Sequence, residues 1–526
     1  MIKDTQLMKA VSNILQRSEK QQNQEKVIRT FVNAGILPQL TNSNNQVLYG
    51  RRGTGKTHVL KVLKTELEKS QHNHVLYVDM RTLGSTSQFS DATLPLQTRC
   101  TCLFRDILAE LHDSLLDRLV NDPPAAHAQA YELLNDLLLV TTKPAEQKIL
   151  ESTEEKQATE KASKVSAQVE ASPKEISIGG GRERSAQDKS EVTSKYIVHT
   201  ADKVIFPELS LLLKSLCEKL GITFFILLDE WSSLPFDLQP YLAEFVKRGL
   251  IPIPSLVLKI ASLEYRSHFG FRDKSGNFIG IEVGSDVSAG LDIDDYFIYD
   301  RNPESVIAIF ADILFKHIDS ELPEDYLVTT LNIPNPLVMR SRLFTNRNIF
   351  TELVRASEGI PRDLINIFTS AFFDSHRRDR DTIDQKSVLA ASRQWFEQDK
   401  QKNLDHELSD TLRRIVDEVI GKRRGRSFLI SRELEKHKMI QRLFDARVLH
   451  LMQRGYADKD NPGVRYNIYT LDYGTYVDLL NTSKEPQMNL IEESPAEEAT
   501  VVPFDDKRSI RRIVLTEAIL EPTVYS

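Results

Sequence analysis

Short apolar runs alternate with stretches of helical spacing in the first part of the chain. The runs that predict buried strands are residues 47–49, 75–79, 223–228, 256–262 and 296–299. The stretches with apolar residues at helical spacing are those after residue 56, 98–120 and 206–220. Strand and helix in alternation predict an α/β domain built on a parallel sheet.

Helical spacing also appears on either side of this domain. Residues 27–36 predict a helix ahead of the first strand, which could pack beside an adenine ring or only against the core. Helices dominate residues 302–400, where Pro303 and Pro361 are typical of a first helical turn. Gly359 predicts the end of the preceding helix.

One stretch lacks the apolar residues that a folded core needs. Residues 143–195 are dominated by Glu, Lys, Ala, Ser and Gln, and they contain no aromatic residue. Such a composition does not bury enough surface to offset the entropy of ordering. We predict a mobile or loosely helical insertion at 122–200, with a partner-binding loop as the alternative, and a flexible tail from residue 483.

Composition excludes several classes of protein. Of 526 residues, 40% are hydrophobic and 27% are charged, which is ordinary for a soluble globular protein. The net charge of -7 means that a nucleic-acid partner requires a local basic patch. Three cysteines without zinc-ligand spacing predict no disulfide framework, and no apolar run reaches membrane-spanning length. We therefore expect a cytoplasmic protein with no membrane partner.

The most specific motif follows the first apolar run. It consists of Gly50, Arg51, Arg52, Gly53, Thr54, Gly55, Lys56 and Thr57, which match the P-loop (Walker A) pattern G-x-x-x-x-G-K-[ST]. Glycines let backbone N–H groups surround a phosphate, and the lysine can reach the β and γ phosphates. Thr57 can supply a hydroxyl to Mg²⁺. The motif lies between a predicted strand and a predicted helix, so it predicts ATP and Mg²⁺ as ligands rather than an incidental glycine turn.

A second motif ends the apolar run that starts at Thr223. The run finishes in Asp229 and Glu230, which is a Walker B pattern. Asp229 would face the metal, and Glu230 would polarise the attacking water. Apolar strands commonly end in solvated acids, so the motif gains its weight from the P-loop upstream.

Two single residues are candidate sensors of the nucleotide. Ser262 ends the predicted strand 256–262, where a hydroxyl could contact the γ phosphate, although it could equally be a turn residue. Arg362 follows Pro361 at a predicted helix start and could extend a planar fork of donors over a phosphate. The alternative is an arginine on the surface.

Residues 401–482 predict a winged helix. The elements predicted are helices at 408–420, from 431 and at 442–454, strands at 428–430, near 456 and at 466–469, and a turn at 459–463. The third helix of such a domain can enter a major groove. Basic residues that could neutralise phosphates are Lys422, Arg423, Arg424, Arg426, Arg442, Arg447, Arg454 and Arg465. We favour double-stranded DNA as the partner over a protein, which winged helices also bind.

Taken in order, these motifs resemble those of AAA+ ATPases. More narrowly, the chain is similar to the replication-initiator branch, the origin-recognition-complex family, as a divergent prokaryotic member. The resemblance implies a P-loop AAA+ parallel sheet domain, an α-helical lid and a C-terminal winged helix. The boundaries it implies are an N-terminal helical segment at 1–45, an ATPase domain at 46–301, a lid at 302–400, a winged helix at 401–482 and a tail at 483–526.

The same resemblance implies roles for single residues. Residues 50–57 would be the phosphate loop, Asp229 and Glu230 the metal and hydrolysis pair, Ser262 the first sensor and Arg362 the second. In the initiator family, an arginine shortly before the last strand completes the site of a neighbouring subunit. Residues 284–290 contain no arginine, which argues against mutually activated hydrolysis in a ring. The nearby substitutes are Arg266, Arg272 and Arg301.

Two functions from different classes follow. The first is an ATP-binding and ATP-hydrolysing switch acting on DNA, in which the nucleotide sets the lid angle and hence the placement of the winged helix. The alternative is a nucleotide-locked scaffold of a prokaryotic defence or mobile-element system that recruits a protein effector. A loader of another ATPase or a transposase would need the same pocket as the switch.

Overall fold

The structure, a computed structural model, describes the folded parts of the chain and, of the predicted insertion at 122–200, only residues 128–142, which form a helix. The described residues are 1–14, 21, 23–83, 89, 91–121, 128–142, 204–457, 463–480 and 513–521. The low-complexity stretch 143–195, the turn residues 459–462 and the tail residues 483–512 lie outside them.

The described elements follow the predicted alternation of strand and helix. Among the described residues, the strands are β1 Gln46–Tyr49, β2 Asn73–Asp79, β3 Thr223–Asp229, β4 Leu256–Ser262, β5 Gly270–Arg272, β6 Phe278–Gly280, β7 Ser288–Asp292, β8 Ser427–Ser431, β9 Leu449–Ala457 and β10 Arg465–Leu471. The α-helices are α1 Thr5–Asn13, α2 Gln24–Thr30, α3 Leu37–Leu40, α4 Lys56–Leu67, α5 Leu96–Asn121, α6 Ala128–Thr142, α7 Phe206–Leu220, α8 Gln239–Gly249, α9 Pro303–Asp319, α10 Tyr326–Thr329, α11 Pro336–Leu343, α12 Arg347–Ala356, α13 Pro361–Arg377, α14 Gln385–Trp395, α15 His406–Val416, α16 Lys438–Asp445 and α17 Glu517–Leu520.

Five parallel strands form the central sheet, in the order β2-β3-β4-β1-β7. Strand β3 is buried from Phe224 to Asp229, because helices cover both faces of the sheet. Helix α4 packs on one face, and α5, α7 and α8 form the layer on the other. Parallel strands end at one edge, so the P-loop after β1 and the acids after β3 meet there.

The helical lid consists of α9 to α14, and the N-terminal segment packs against it. Asn302 caps α9 by accepting the N–H of Ser305 at 3.2 Å, as the predicted helix start requires. Helix α1 contacts the lid through Asp4, which accepts from the hydroxyl of Tyr326 at 3.2 Å. Helix α2 lies beside α4 and α9, with Lys26 paired to Glu321 at 2.5 Å. Residues 1–45 therefore join the sheet domain to the lid.

The C-terminal domain is a winged helix built on the three-stranded antiparallel sheet β8-β10-β9. Part of the predicted flexible tail belongs to it. The N–H of Leu429 donates to the carbonyl of Ile513 at 2.7 Å, and Leu515 donates back to Leu429 at 2.9 Å. Residues 513–521 are therefore an ordered part of this domain, and the prediction of flexibility is wrong for them.

Four predicted elements differ from the structure. The helix predicted over 27–36 ends at Thr30. The last strand of the central sheet is β7, whereas the predicted strand 296–299 begins at the end of a 3-10 turn, Ile293–Tyr296. The predicted third helix at 442–454 is shorter, because α16 ends at Asp445 and the chain continues as β9. The helix predicted from residue 431 is only the 3-10 turn Leu434–Lys436.

Along the part of the chain that the structure describes, no helix combines the length and the apolar character needed to cross a membrane.

Candidate nucleotide-binding site

The P-loop holds its lysine inside the loop. The Nζ atom of Lys56 donates to the carbonyl oxygens of Gly50 at 2.7 Å and Arg51 at 2.9 Å. The hydroxyl of Thr54 donates to the same Arg51 oxygen at 2.9 Å. Burial lowers the pKa of Lys56, although the charge of Glu230 opposes this shift. A phosphate at this point would offer the lysine acceptors with a full negative charge.

Arg362 approaches the P-loop from the lid. The backbone N–H of Arg362 donates to the carbonyl of Gly53 at 3.2 Å. Gly53 has a φ of 90°, and a Cβ atom there would lie 2.9 Å from Nε of Arg362. Only glycine permits both the left-handed backbone and this close approach. The lid arginine and the phosphate loop are thus in direct contact.

The two acids that end β3 have different environments. Asp229 is fully buried, and its oxygens accept the N–H of Glu230 at 2.9 Å and the hydroxyl of Tyr77 at 2.7 Å. Glu230 has a φ of 56° and a ψ of 38°, a left-handed conformation that is uncommon for residues other than glycine. Burial, reinforced by Asp229, raises the pKa of Glu230, as suits a proton acceptor working near neutral pH.

A cavity of about 410 Å³ joins these elements, a size within the range of about 300–1,000 Å³ that is typical of small-ligand sites. The polar lining includes residues 52–57, Glu230 and Arg362. The apolar lining consists of Val27, Phe31, Val32, Ile36, Ile293, Phe297, Ile313 and Ile365, among others. The segment predicted to pack beside an adenine ring thus contributes to the cavity wall. A lining with both polar and apolar side chains suits a ligand that has a charged part and an apolar part.

Thr57 and Asp229 offer oxygen donors for a divalent cation. Thr57 lines the cavity, and Asp229 directly precedes Glu230. Each oxygen of Asp229 accepts one of the hydrogen bonds described above and retains a further lone pair. Hydroxyl and carboxylate oxygens are ligands that Mg²⁺ accepts beside phosphates and water, so the residue types fit the predicted metal. Asp229 is fully buried and does not itself line the cavity, so its carboxylate would have to reach the metal past Glu230.

Ser262 does not reach the cavity. It is the last residue of β4 and is fully buried, and its hydroxyl contacts that of Ser267. The hydroxyl of Ser267 in turn donates to the carbonyl of Leu263 at 2.6 Å. Leu263, not Ser262, lines the cavity at this strand end. The structure therefore does not support a sensor role for Ser262, because its hydroxyl is used within the turn that follows β4.

The sequence did not reveal several polar residues that line the cavity, and Arg81 and His317 are two of them. Arg81 reaches it from the turn after β2, and His317 reaches it from α9. Arg81 follows the carboxyl end of a predicted parallel strand, and ligands of α/β sheets bind at that edge, so its position carried a usable signal. His317 is one residue on a helix face, and nothing in the sequence distinguished it.

The side chain of Arg51 leaves the P-loop and reaches the winged helix. Its Nε atom pairs with Asp294 at 3.1 Å, and Nη2 donates to the carbonyl of Glu358 in the lid at 3.0 Å. Its Nη1 atom contacts Nδ1 of His450, on β9. Arg51 is 6% exposed. One P-loop side chain therefore contacts the sheet domain, the lid and the winged helix at once.

Buried ion pairs connect the lid helix that carries Arg362 to the winged helix. Asp363 is fully buried and pairs with Arg447 at 2.5 Å and with Lys400 at 3.2 Å. Burial alone would raise the pKa of Asp363, but the charges of Arg447 and Lys400 outweigh it, and the pKa is lowered. Removing one partner of such a pair costs roughly 3–5 kcal/mol. The lid and the winged helix are thus held together as one unit.

One buried group has the composition of a metal site but is already neutralised. Glu358, His450 and Asp472 place possible ligand atoms within 4.8 Å of one another. Arg426 pairs with Glu358 at 2.7 Å, and Lys400 pairs with Asp472 at 2.5 Å. The cations already in place make this cluster part of the ion-pair network between the domains.

Two residues predicted to contact DNA lie inside this interface. Arg426 is 7% exposed and Arg447 is 6% exposed, and both are ion-paired as described above. The predicted DNA contact is wrong for these two arginines in this arrangement, because both are paired with carboxylates of the lid. The end of α16 is also covered, with Arg266 paired to Asp445 at 2.7 Å.

The other basic candidates lie toward the surface of the winged helix. Lys422, Arg423, Arg424 and Arg465 are exposed. Arg442 is half-buried beside Asp405, and Arg454 pairs with Glu264 of the sheet domain at 2.5 Å. Among the exposed residues, Lys422 and Arg423 pair with Glu418 at 2.8 and 3.6 Å.

We expect His450 to lower the stability of the protein as the pH falls below 6.5, a contribution that Glu358 and Asp292 oppose because burial raises their pKa values to about 7. Burial, with the charge of Arg51 beside it, lowers the pKa of His450 from 6.5 to about 3 against the raising effect of Asp472. Between these pH values the unfolded chain binds a proton that the folded chain does not, so stability falls as pH decreases. This residue contributes up to about 1.4 kcal/mol per pH unit. Urea unfolding between pH 7 and pH 5 measures the slope.

The matched variants for this prediction are His450→Gln and His406→Gln. The side chain of His406 is 93% exposed, so its replacement should leave the slope of the wild type unchanged. His450→Gln should lose less stability than the wild type between pH 7 and pH 5, or gain more, because the contribution of His450 is absent. Parallel slopes for the wild type and His450→Gln would contradict the neutral, buried state of His450.

The fold and the site define a class of protein. A parallel sheet with a P-loop motif and an acidic strand end, a helical lid and a winged helix form the architecture that the resemblance to AAA+ proteins predicted. Residues 17–84, which include the P-loop, match the model of the ORC-CDC6-like family. The resemblance to the initiator family is confirmed over that segment. No curated protein sequence matches the chain.

Solved structures of ORC and Cdc6 proteins are similar to this chain. The Aeropyrum pernix ORC2 protein, in ADPNP-ADP complexes, shares 11% identity at a TM-score of 0.32, covering 91% of this chain and 97% of its own. Cdc6p from Pyrobaculum aerophilum shares 11% at 0.30, with coverages of 90% and 97%. Drosophila ORC bound to DNA shares 9% at 0.29, with coverages of 91% and 92%. TM-scores this low indicate only a distant structural similarity.

Proposed function

We propose that the protein is an ATP-dependent switch that acts on DNA. ATP with Mg²⁺ would occupy the cavity between the sheet domain and the lid, and hydrolysis would reset the switch. The observation that carries the proposal is the buried side chain of Arg51, which extends from the phosphate loop to Glu358 of the lid and His450 of the winged helix. A change of the P-loop around a phosphate would therefore act directly on the docking of the winged helix.

The residues around the cavity supply the groups that hydrolysis requires. Glu230 would polarise a water molecule, while Lys56 and Arg362 would neutralise charge on the γ phosphate. Thr57 and Asp229 would hold Mg²⁺, which supplies positive charge between the β and γ phosphates when it is bound. The contact of Arg362 with Gly53 supports this assignment, since it sets a lid arginine directly above the loop.

Because the winged helix is docked on the sheet domain, only part of its surface is accessible to DNA. Helix α16 faces the sheet domain through Phe444, whose ring lies 5.0 Å from that of Tyr265. Entry of α16 into a major groove would thus require release of the winged helix from the sheet domain. The residues Lys422, Arg423, Arg424 and Arg465 are exposed without that release and would provide a first, salt-sensitive contact, for which a phosphate would compete with Glu418 at Lys422 and Arg423.

The experiment that tests the proposal is ATP turnover by the full chain, with and without duplex DNA, at two salt concentrations. We expect DNA to stimulate turnover at 50 mM salt. With about four phosphate contacts, the DNA affinity should fall by roughly 150-fold between 50 and 200 mM salt, so the stimulation should disappear. Arg424→Glu should lose the stimulation, whereas Arg377→Glu, on an exposed lid residue, should retain it.

The same experiment separates the switch from the scaffold. Burial of Arg426 and Arg447 in the interface favours a permanently docked winged helix, which is the arrangement that a scaffold would use. Tightly held nucleotide with negligible turnover under all four conditions would identify the scaffold. The search for a partner would then turn to proteins that bind the winged helix.

A further inference from the structure

Three arginines among the described residues line the cavity, and each comes from a different element. They are Arg52 of the P-loop, Arg81 after β2 and Arg362 of the lid. None of the substitutes considered for the missing arginine of residues 284–290 is among them. Arg266 pairs with Asp445 at 2.7 Å, and Arg301 pairs with Asp295 at 2.9 Å. The arginines that could reach a nucleotide within one chain are therefore the three that line the cavity.

Arg81 is the cavity arginine whose strand, β2, pairs directly with β3, the strand that ends at Glu230. The register of the two strands sets Asp79 opposite Asp229. Arg81 and Glu230 therefore follow neighbouring strand ends at the same edge, and both line the cavity.

The guanidinium of Arg81 is oriented by a fork-to-fork ion pair. Its Nε atom lies 2.9 Å from Oδ1 of Asp79, and its Nη2 atom lies 2.6 Å from Oδ2. The side chain of Arg81 is 37% exposed and that of Asp79 is 20% exposed. A pair this accessible holds the arginine in a defined orientation but does not bury it. A phosphate with more negative charge than Asp79 can therefore compete for the guanidinium.

We propose that Arg81 is a catalytic residue of ATP hydrolysis, supplied by the same chain that binds the nucleotide. Asp79 is its positioning residue. This assignment rests on the proposed function. The water oxygen forms a bond to the γ phosphorus, the bond from that phosphorus to the β–γ bridging oxygen breaks, and ADP leaves with the electron pair. Glu230 accepts a proton of the water, and Arg81 neutralises charge on the γ oxygens as they separate.

An arginine supplied by the same chain makes ATP turnover independent of association between subunits, whereas an arginine from a neighbour does not. Each chain carries a complete site, so turnover per chain should not depend on protein concentration. With a neighbour's arginine, turnover per chain would rise as subunits associate. The absence of an arginine from residues 284–290 agrees with a site completed within the chain.

The test compares ATP binding and ATP turnover in full-length variants. Arg81→Ala is expected to lower kcat by about 10³-fold or more, the range found for arginines that stabilise phosphoryl transfer. The Kd for ATP, measured by calorimetry, should change by less than about tenfold, since the P-loop and Lys56 remain. Arg81→Lys should recover only part of kcat, because an ammonium lacks the planar fork. Arg248→Ala, on an exposed arginine of α8, should match the wild type.

A mixing experiment tests whether the arginine acts within the chain. Arg81→Ala and Glu230→Gln are both expected to be inactive, and an equimolar mixture should stay inactive at every concentration. Recovery of turnover on mixing would show that Arg81 acts on a neighbour's site and would overturn the assignment. Wild-type kcat in Arg81→Ala would also overturn it, as would ATP binding without turnover in the wild type. If the wild type fails to bind ATP, the proposed function itself fails.

Discussion

Replacing Lys56 with alanine is expected to abolish ATP binding. The ammonium group lies inside the P-loop, 2.7 Å from the oxygen of Gly50 and 2.9 Å from that of Arg51, where a phosphate would present stronger acceptors. Each charge-assisted hydrogen bond contributes about 1.5–3 kcal/mol. Loss of two such bonds to phosphate lowers the affinity by roughly 100-fold or more. Calorimetric titration with ATP and Mg²⁺ measures the effect.

Lys64 provides the matched control on the same helix. Its ammonium group lies 3.7 Å from Glu68, away from the loop, and the pair is partly exposed. Lys64→Ala should therefore bind ATP like the wild type. ATP affinity at the wild-type level in Lys56→Ala would show that the nucleotide does not occupy this loop, and the proposed function would have to be abandoned.

Replacing Glu230 with glutamine is expected to trap ATP. Glutamine preserves the size of the side chain but does not accept the proton of an attacking water. Loss of a general base lowers turnover by about 10²–10⁴-fold. The affinity for ATP should persist, because Lys56, Thr57 and the loop amides are unchanged. Turnover by phosphate release, together with calorimetry on the same preparation, separates the two effects.

Glu282 is a suitable control, since it is an exposed glutamate of the sheet domain and does not line the cavity. Glu282→Gln should turn over ATP at the wild-type rate. Equal turnover in the wild type and Glu230→Gln would remove Glu230 from its role. The water would then have to be oriented by another group.

Elements governed by local rules were predictable from the sequence. The P-loop requires glycines and a lysine at fixed spacing between a strand and a helix, and the structure has α4 beginning at Lys56. The buried strands β3 and β4 were predictable because covering both faces of a sheet demands consecutive apolar residues. Helix α7 and its end at Gly221 followed from amphipathic spacing and a left-handed glycine.

Elements with a mixed pattern were not predictable in the same way. Strand β7 lies at the edge of the sheet, where a strand is less completely buried. Its sequence therefore contains no run of apolar residues that would indicate a strand. Residues 446–457 alternate between apolar and polar positions in a way that also fits a helix, and only pairing with β10 makes them a strand. Packing decided both cases.

The sequence by itself determined the kind of pocket this protein has, because the P-loop and the Asp229–Glu230 pair act through residues that are close along the chain. Only the tertiary structure decided which groups the charged side chains of the winged helix contact. Arg51 and His450 are 399 positions apart, yet they are in contact. The sequence does not distinguish an arginine that neutralises a buried carboxylate from an arginine that can bind DNA. Their difference lies in which acid the fold brings within reach, and that depends on how the domains pack.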